Sequence, residues 1–145
     1  MSVAIRAMVA RDFPALPAIW AVTEGMGNSP GDSPEDLGRL LDRNPGLCFV
    51  AVDGETIVGT ILAGQDGRRA YLYRLAVLPK YRRQGLAAEL VRRSLAGIEA
   101  TGIVRCLALV QEDNPGGRVF WESMRGKLRT ELVVYTVDLK DTGHP

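Results

Sequence analysis

The sequence has few of the residues that common catalytic side-chain systems use. It contains one histidine, His144, next to the last residue, and two cysteines, Cys48 and Cys106, which form no C-x-x-C pair. Ser-His or Cys-His catalysis and a multi-histidine metal site are therefore not expected, and neither is any other metal. Both cysteines lie in predicted strands, where we expect buried, inert thiols.

Long apolar runs and a strong charge imbalance are also missing. No stretch reaches the roughly 18 apolar residues of a membrane span, and the amino terminus, MSVAIRAMVARDF, lacks the apolar core and cleavage site of a signal peptide. We therefore expect a cytoplasmic protein with no membrane partner. The net charge of +1 does not provide the positive field of a nucleic-acid-binding protein.

The length and composition fit one compact domain. A chain of 145 residues that is 46% apolar can bury a single core and leaves little room for a second. No repeat, linker or low-complexity segment divides it. We predict one domain that spans residues 1–145.

The first third of the chain predicts a strand and two helices. Val3 to Val9 alternate as in a strand, and Asp12 is placed to cap a helix with apolar residues at helical spacing. The loop from Gly25 to Asp32 is rich in Gly, Asn, Ser and Pro. Ser33 then precedes a short helix that ends near Arg43.

The rest of the chain predicts an α/β fold with a mixed sheet. LCFVAVD, TIVGTILAG and AYLYRLAVL read as antiparallel strands, with a hairpin turn at Asp53-Gly54. A helix from Gln84 to about Thr101, closed by Gly102, leads to the apolar strand IVRCLALV and so forms a parallel βαβ unit. NPGGRVFWESM predicts a further helix and LRTELVVYTVDL a last strand.

The stretch YRRQGLAAEL, residues 81–90, lies between a predicted strand and a predicted helix. A helix amino terminus offers unpaired N–H groups and a positive dipole end, and Gly85 lets an anion approach the main chain closely. Arg82 and Arg83 add charge. The pattern fits a phosphate site, but a solvated helix start explains it equally well, because neither G-x-x-x-x-G-K-S/T nor G-x-G-x-x-G is present.

The same stretch resembles a known family. RRQGLA, residues 82–87, is similar to the Q/R-x-x-G-x-G/A motif of the GCN5-related N-acetyltransferase (GNAT) family. EDNPGGRVFWESM resembles the family's later N-x-x-A-x-x-F-Y segment, and VDGETIVGTILAGQDG its upstream hairpin. The likeness is closest to small bacterial members such as the ribosomal-protein alanine acetyltransferases. It implies a mostly antiparallel sheet with one parallel βαβ pair, flanked by about four helices.

The resemblance implies acetyl-CoA as cosubstrate. Backbone groups around Gly85 would hold the pyrophosphate, and a bulged strand would pair with the pantetheine arm and aim an N–H at the thioester oxygen. Asn114 would also bind the arm, although it is equally a good helix cap. The implied cofactor-binding residues are Leu75, Ala76, Val77, Arg82, Arg83, Gln84, Gly85, Leu86, Ala87, Asn114 and Phe120.

The chain departs from the family pattern where the family often has a tyrosine that protonates the leaving thiolate. Trp121 stands at that position, and an indole N–H is far too weak an acid for this task. Water or Tyr73 is the alternative proton donor. No carboxylate lies in AYLYRLAV, so the candidates for the base are Glu24, Asp66 and Glu112, each of which is also a plausible solvated turn residue.

Three functions follow from these features. The leading one is an N-acetyltransferase in which an amine attacks the thioester directly, and the acceptor is a small-molecule amine or a protein amino group. The second is a non-catalytic acyl-CoA sensing domain, with the same cofactor features. A nucleic-acid module is disfavoured, because Arg92 and Arg93 lie far along a helix from the basic turn and no aromatic residues are interleaved with them. A homodimer is an open alternative.

Overall fold

The structure is a computed structural model that describes residues 2–24, 26–27, 29–112 and 114–143. Gly25 and His144, which were discussed above, lie outside these ranges. The described strands are β1 (Val3–Ala7), β2 (Phe49–Asp53), β3 (Thr56–Gln65), β4 (Ala70–Val77) and β5 (Cys106–Ala108). The α-helices are α1 (Leu16–Ala21), α2 (Pro34–Arg43), α3 (Leu86–Glu99) and α4 (Pro115–Ser123). Ala10–Ala15 and Pro79–Tyr81 form 3₁₀ helices.

The strands form one mixed sheet in the order β1-β2-β3-β4-β5. All neighbours are antiparallel except β4 and β5, which are parallel and joined through α3. The predicted fold class is confirmed, including the hairpin between β2 and β3, where Asp53 pairs with Thr56 and Gly54 has a φ of 63°.

Helices cover both faces of the sheet. On one face, Leu16 and Trp20 of α1 and Leu37 of α2 pack with buried sheet residues such as Val50. On the other face, α3 packs with a second group of buried sheet residues, and its Leu90, Val91 and Ile98 are buried there. Because both faces are covered, β3 is buried without interruption from Ile57 to Gly64.

Helix α3 matches the apolar periodicity that predicted it. It begins at Leu86 rather than Gln84, because Gly85 adopts the left-handed conformation and occupies the N-cap position. It ends at Glu99 with Ala100 as the C-cap, so Gly102, with φ 89°, lies two residues beyond the cap rather than at it, which corrects the predicted end of the helix. Ser33 caps α2 by accepting a hydrogen bond from the Asp36 N–H, which agrees with the prediction.

The prediction that Asp12 precedes and caps a helix is wrong. β1 ends at Ala7, and Asp12 lies inside the 3₁₀ helix Ala10–Ala15. Its carboxylate instead accepts two hydrogen bonds from the Arg6 guanidinium, each 2.8 Å, and one from the Val9 N–H at 2.9 Å. The carboxylate therefore ties the end of β1 to the segment that enters α1.

The predicted last strand is also wrong. Residues 128–139 are described, yet none of them is paired in the sheet. The large apolar side chains of this segment are exposed, namely Leu128, Leu132, Val133, Val134, Tyr135, Val137 and Leu139. An alternating apolar pattern favours a strand, but strand formation also requires a neighbour to pair with, and that depends on tertiary context.

Candidate active site

A fork in the sheet forms the centre of the candidate site. β4 and β5 pair only between Ala70–Leu72 and Cys106–Ala108. β4 continues to Val77, whereas β5 ends at Ala108, so the described part of β5 offers no partner to β4 after Leu72. The edge of β4 that faces this gap carries backbone donors and acceptors that the described part of β5 does not use, and of these residues Val77 has its carbonyl hydrogen-bonded to the Arg82 side chain.

A bulge in β4 lies at the start of the fork. Leu62 of β3 pairs with Tyr73 and Thr60 pairs with Ala76, so that one β3 residue stands opposite Arg74 and Leu75. Arg74 has a φ of 53°, and its carbonyl accepts a hydrogen bond of 2.7 Å from the Thr60 hydroxyl. Bulges bend a strand and redirect its groups, which is the feature that the family resemblance implied.

A cavity of about 940 Å³ occupies the fork. Its walls come from β4, from the residues between α1 and α2, from the segment after β5 and from α4. Eleven of the sequence-predicted site residues line it: Glu24, Tyr73, Leu75, Ala76, Val77, Arg82, Ala87, Glu112, Asn114, Phe120 and Trp121. An adjoining cavity of about 230 Å³ is lined by Arg83, Gly85 and Leu86. Gln84 is not among the described residues that line either cavity.

The turn between β4 and α3 exposes backbone N–H groups. Arg83, with φ 65°, and Gly85, with φ 79°, are both left-handed, and no side chain caps the first turn of α3. Left-handed residues next to right-handed ones form concave N–H arrangements that bind anions. A Cβ added at Gly85 would meet no described atom within 4 Å, so the space beside it is open. The turn therefore has the features of an anion site.

Arg82 joins the turn to the opposite wall of the cavity. Its Nε donates to the Val77 carbonyl at 2.9 Å, and its Nη1 lies 3.3 Å from the Glu24 carboxylate. Arg82 is therefore fixed at the end of β4, while Glu24, which is 75% exposed, is held near it by an ion pair.

Asn114 has the capping role that the sequence predicted. Its Oδ1 accepts a hydrogen bond of 3.0 Å from the Gly117 N–H at the start of α4. Because Asn114 also lines the cavity, the cap and a ligand contact are compatible. Phe120 and Trp121 follow on α4, with ring centroids 5.3 Å apart and planes at 79°.

The candidate acids and bases differ in their surroundings. Burial raises the pKa of Tyr73, with smaller contributions from nearby Cys48, Tyr71 and Cys106, so the phenol stays protonated at neutral pH. Asp66 lies in the turn between β3 and β4, and it is not among the described cavity-lining residues. Its carboxylate accepts hydrogen bonds from the N–H groups of Arg69 and Arg68, which lower its pKa.

Sequence reasoning missed a polar cluster beside the cavity. The Arg74 guanidinium forms an ion pair with Asp32, donates to the Gly27 carbonyl at 2.7 Å and lies 4.7 Å from the centre of the Trp20 ring. The available signal was an arginine inside the apolar run of AYLYRLAV, in a strand whose neighbouring residues are apolar or aromatic.

Neither thiol shows the features of a reactive group. Burial raises the pKa of Cys48 and of Cys106 to about 11, so both stay protonated at neutral pH. Within the described ranges, no group of three or more His, Cys, Asp or Glu side chains is placed to hold a metal ion. None of the helices found there has the length and apolar character needed to cross a bilayer.

Comparison with known proteins agrees with this geometry. The profile of the Acetyltransferase (GNAT) family matches residues 11–126. An acetyltransferase of Photorhabdus laumondii is 35% identical over 111 residues, which cover 76% of each chain.

Solved structures share the fold. An aminoglycoside acetyltransferase from an uncultured soil metagenomic sample, in complex with sisomicin, has a TM-score of 0.75 at 22% identity and covers 95% of this chain and 97% of its own. PaiA N-acetyltransferase from Thermoplasma acidophilum, in complex with coenzyme A, has a TM-score of 0.73 at 23% identity, with coverage of 86% and 89%. The profile match and the sequence relative together show that the chain belongs to the acetyltransferase (GNAT) family.

Proposed function

We propose that this acetyl-CoA-dependent N-acetyltransferase binds the pantetheine arm of acetyl-CoA in the fork, along Leu75, Ala76 and Val77. The observation that carries the proposal is that β4 extends beyond the end of its parallel neighbour β5 and is followed by the turn before α3, which has the features of an anion site. An extended ligand with amide groups can pair with such an edge as an added strand. Asn114 and Phe120, which line the same cavity, flank the arm.

The pyrophosphate lies on the turn from Arg82 to Ala87 in this proposal. The left-handed residues Arg83 and Gly85 lie next to the amino terminus of α3, an arrangement typical of anion sites, and Arg82 and Arg83 add positive charge. Main-chain recognition requires a residue without a side chain at the closest approach, which Gly85 satisfies.

The proposed reaction is direct transfer. The nitrogen of a neutral amine bonds to the carbonyl carbon of the acetyl group, the C–S bond breaks, the nitrogen loses a proton to leave a neutral amide, and coenzyme A leaves as a thiolate that takes up a proton. The residues of the chain hold the two reactants together, which accounts for much of the rate acceleration in such reactions. A backbone N–H at the bulge stabilises the charge that develops on the carbonyl oxygen.

Protons have to be transferred at two sites. The acceptor nitrogen loses one proton before the attack and one after it, and the thiolate gains one. Among the described residues that line the cavity, Glu24 and Glu112 carry carboxylates, and either can accept the protons of the acceptor nitrogen directly or through water. Tyr73 lines the same cavity, keeps its own proton at neutral pH and is the side-chain donor for the thiolate. Asp66 is the weakest candidate for the base. It is not among the described cavity-lining residues, and its carboxylate already accepts hydrogen bonds from two backbone N–H groups.

The acceptor in this proposal is a cationic amine that enters beside the residues between α1 and α2. Glu24 gives that region a carboxylate, and Glu112 adds one from the segment after β5, and both attract an ammonium group. The sisomicin complex of the structurally similar aminoglycoside acetyltransferase and the resemblance to ribosomal-protein alanine acetyltransferases favour two acceptor classes, aminoglycosides and protein amino termini.

A thiol-release assay tests the proposal. Purified protein with acetyl-CoA is given sisomicin, spermidine, free lysine or a short peptide with an amino-terminal alanine, and coenzyme A is trapped through its thiol. We expect release above the hydrolysis background with at least one amine. No release with any of them, together with tight binding of acetyl-CoA, would favour the second candidate, an acyl-CoA sensing domain, for which Trp121 at the usual acid position is the supporting observation.

We further propose that residues 1–145 act as one acetyltransferase domain in the cytoplasm. The two unpaired cysteines agree with a reducing compartment. The exposed apolar segment 128–139 is the feature that supports a homodimer, and sedimentation at several protein concentrations tests it.

A further inference from the structure

Arg74 makes contacts that neither the fork nor the acyl transfer requires. Its side chain is 11% exposed, and it links to the residues between α1 and α2, here called the first loop (22–24, 26–27 and 29–33 among the described residues). The guanidinium donates to the Gly27 carbonyl at 2.7 Å and forms an ion pair with Asp32. One side chain thus holds two points of the loop.

A buried network supports this side chain. The Trp20 indole N–H donates to the Thr60 hydroxyl at 3.0 Å, and that hydroxyl donates to the Arg74 carbonyl at 2.7 Å. Trp20 is 3% exposed, and the Arg74 guanidinium lies 4.7 Å from its ring centre. Cation–π contacts and hydrogen bonds are stronger where water is excluded. Thr60 therefore holds the main chain of Arg74, Trp20 contacts its side chain, and these two partners are hydrogen-bonded to each other.

The backbone conformation of Arg74 indicates that its side chain has a role, because the conformation itself favours glycine. Its φ of 53° is left-handed, a conformation that strains residues with a Cβ and that glycine adopts freely. A bulge alone would be least strained with glycine. The arginine supplies contacts that compensate for this strain, and those contacts reach the first loop.

The first loop forms one wall of the cavity. Thr23, Glu24, Met26, Gly27, Ser29 and Pro30 all line it, opposite the turn that carries Arg82. We propose that Arg74 is a positioning residue that fixes the first loop as the wall of the acceptor-binding side. This inference rests on the proposed entry of the acceptor beside that loop. Loss of Arg74 therefore weakens acceptor recognition and leaves coenzyme A binding intact.

Three variants separate the contacts of Arg74. Arg74→Gly retains the bulge conformation and removes every side-chain contact. Arg74→Lys keeps the positive charge but lacks the planar guanidinium group. Asp32→Asn removes only the ion pair. Arg68→Gly, at an exposed arginine in the turn between β3 and β4, is the matched control. A Trp121→Phe background leaves Trp20 as the only indole, so that its fluorescence reports on the contact.

Two readouts of the first loop need no acceptor, and coenzyme A affinity is their control. We expect acrylamide quenching of Trp20 to rise in Arg74→Gly but not in Arg68→Gly, and backbone hydrogen exchange across residues 22–33 to become about tenfold faster in both Arg74→Gly and Asp32→Asn. The dissociation constant for coenzyme A, measured by calorimetry, should change less than about twofold, below roughly 0.4 kcal/mol. Unchanged quenching in Arg74→Gly with unchanged exchange in both variants would overturn the proposal, as would a parallel loss of coenzyme A affinity.

A third readout uses the acceptors. With sisomicin or the alanine peptide, whichever is turned over, we expect KM for the amine to rise about tenfold in Arg74→Gly, with KM for acetyl-CoA constant and partial recovery in Arg74→Lys. If Arg74→Gly does not fold, Asp32→Asn decides by hydrogen exchange and by KM for the amine. Absence of turnover with every amine would count against the proposed function, whereas the loop readouts would still decide the role of Arg74.

Discussion

The two walls of the cavity are held in place by different means. The turn before α3 is shaped by the left-handed backbone of Arg83 and Gly85. It is anchored to the sheet by Tyr81, which is 7% exposed and whose hydroxyl donates a hydrogen bond of 2.6 Å to Asp53. The first loop is held by side chains, through the ion pairs of Arg74 with Asp32 and of Arg82 with Glu24.

This difference has a consequence for recognition. Backbone N–H groups are present whatever the side chains are, so a turn built from them suits a ligand part that never changes, such as a pyrophosphate. A wall held by side-chain ion pairs can be altered by single substitutions without disturbing the sheet. We therefore expect changes in the turn to affect the cofactor and changes near the first loop to affect the acceptor or local stability.

The largest expected effect tests whether the turn binds phosphate. Acetyl-pantetheine lacks the pyrophosphate, so it should bind at least about a hundredfold more weakly than acetyl-CoA, a loss of roughly 2.7 kcal/mol. Calorimetry with both thioesters measures the difference. Equal affinities would show that the turn does not bind the pyrophosphate, and the proposed difference in role between the two walls would then be wrong.

The next effect comes from Gly85→Val. A branched side chain at a φ of 79° is strained, and it occupies the open space that we propose for the contact between the pyrophosphate and the main chain. We expect the dissociation constant for acetyl-CoA to rise at least about tenfold, or roughly 1.4 kcal/mol. Gly85→Ala should have a smaller effect, and the thermal midpoint without ligand shows whether the fold survives. A folded valine variant with normal binding would contradict the assignment.

Asp12→Asn should destabilise the fold without affecting the cofactor. Burial raises the pKa of Asp12, but hydrogen bonds from Arg6 and Val9 outweigh it, so the net pKa is lowered. Because Arg6 is 35% exposed, we expect a loss of only about 1 kcal/mol at pH 7. Asp42→Asn, at an exposed position on α2, is the control.

The pH dependence of that loss follows from the sign of the shift. A carboxylate with a lowered folded-state pKa stabilises the fold above its ordinary value of 3.8, and this stabilisation disappears as pH falls through the folded-state pKa. The difference in thermal midpoint between the wild type and Asp12→Asn should therefore be full at pH 7 and shrink below about pH 4. A difference that grows in acid would contradict this explanation.

The smallest expected effect concerns Trp121. If departure of the thiolate limits turnover, Trp121→Tyr supplies an acid in the same place and should raise kcat a few-fold. This increase is far smaller than the roughly hundredfold rate acceleration that a general acid can contribute. Cofactor affinity should stay constant. Trp121→Phe, which removes no usable acid, should keep most of the turnover. A large loss of turnover in a folded Trp121→Phe variant would show that tryptophan has a chemical role.

Most of the fold could be predicted from the sequence because its signals are local. The spacing of Leu90, Val91 and Ile98 predicted a helix, and Asp53-Gly54 predicted a hairpin, since both depend on the geometry of a few neighbouring residues. Segment 128–139 shows the limit of such signals. Its many β-branched and aromatic residues favour a strand, but in the structure it is not paired in the sheet.

The candidate site divides in the same way. The sequence by itself determined the turn around Gly85 and the cap at Asn114, because backbone conformation and capping are set by residues a few positions apart. Only the tertiary structure decided that β5 stops while β4 continues, that Asp66 lies apart from the described cavity lining, and that Arg74 joins Asp32. These facts depend on which distant segments meet, and contacts between residues 42 positions apart leave no periodic trace in the chain.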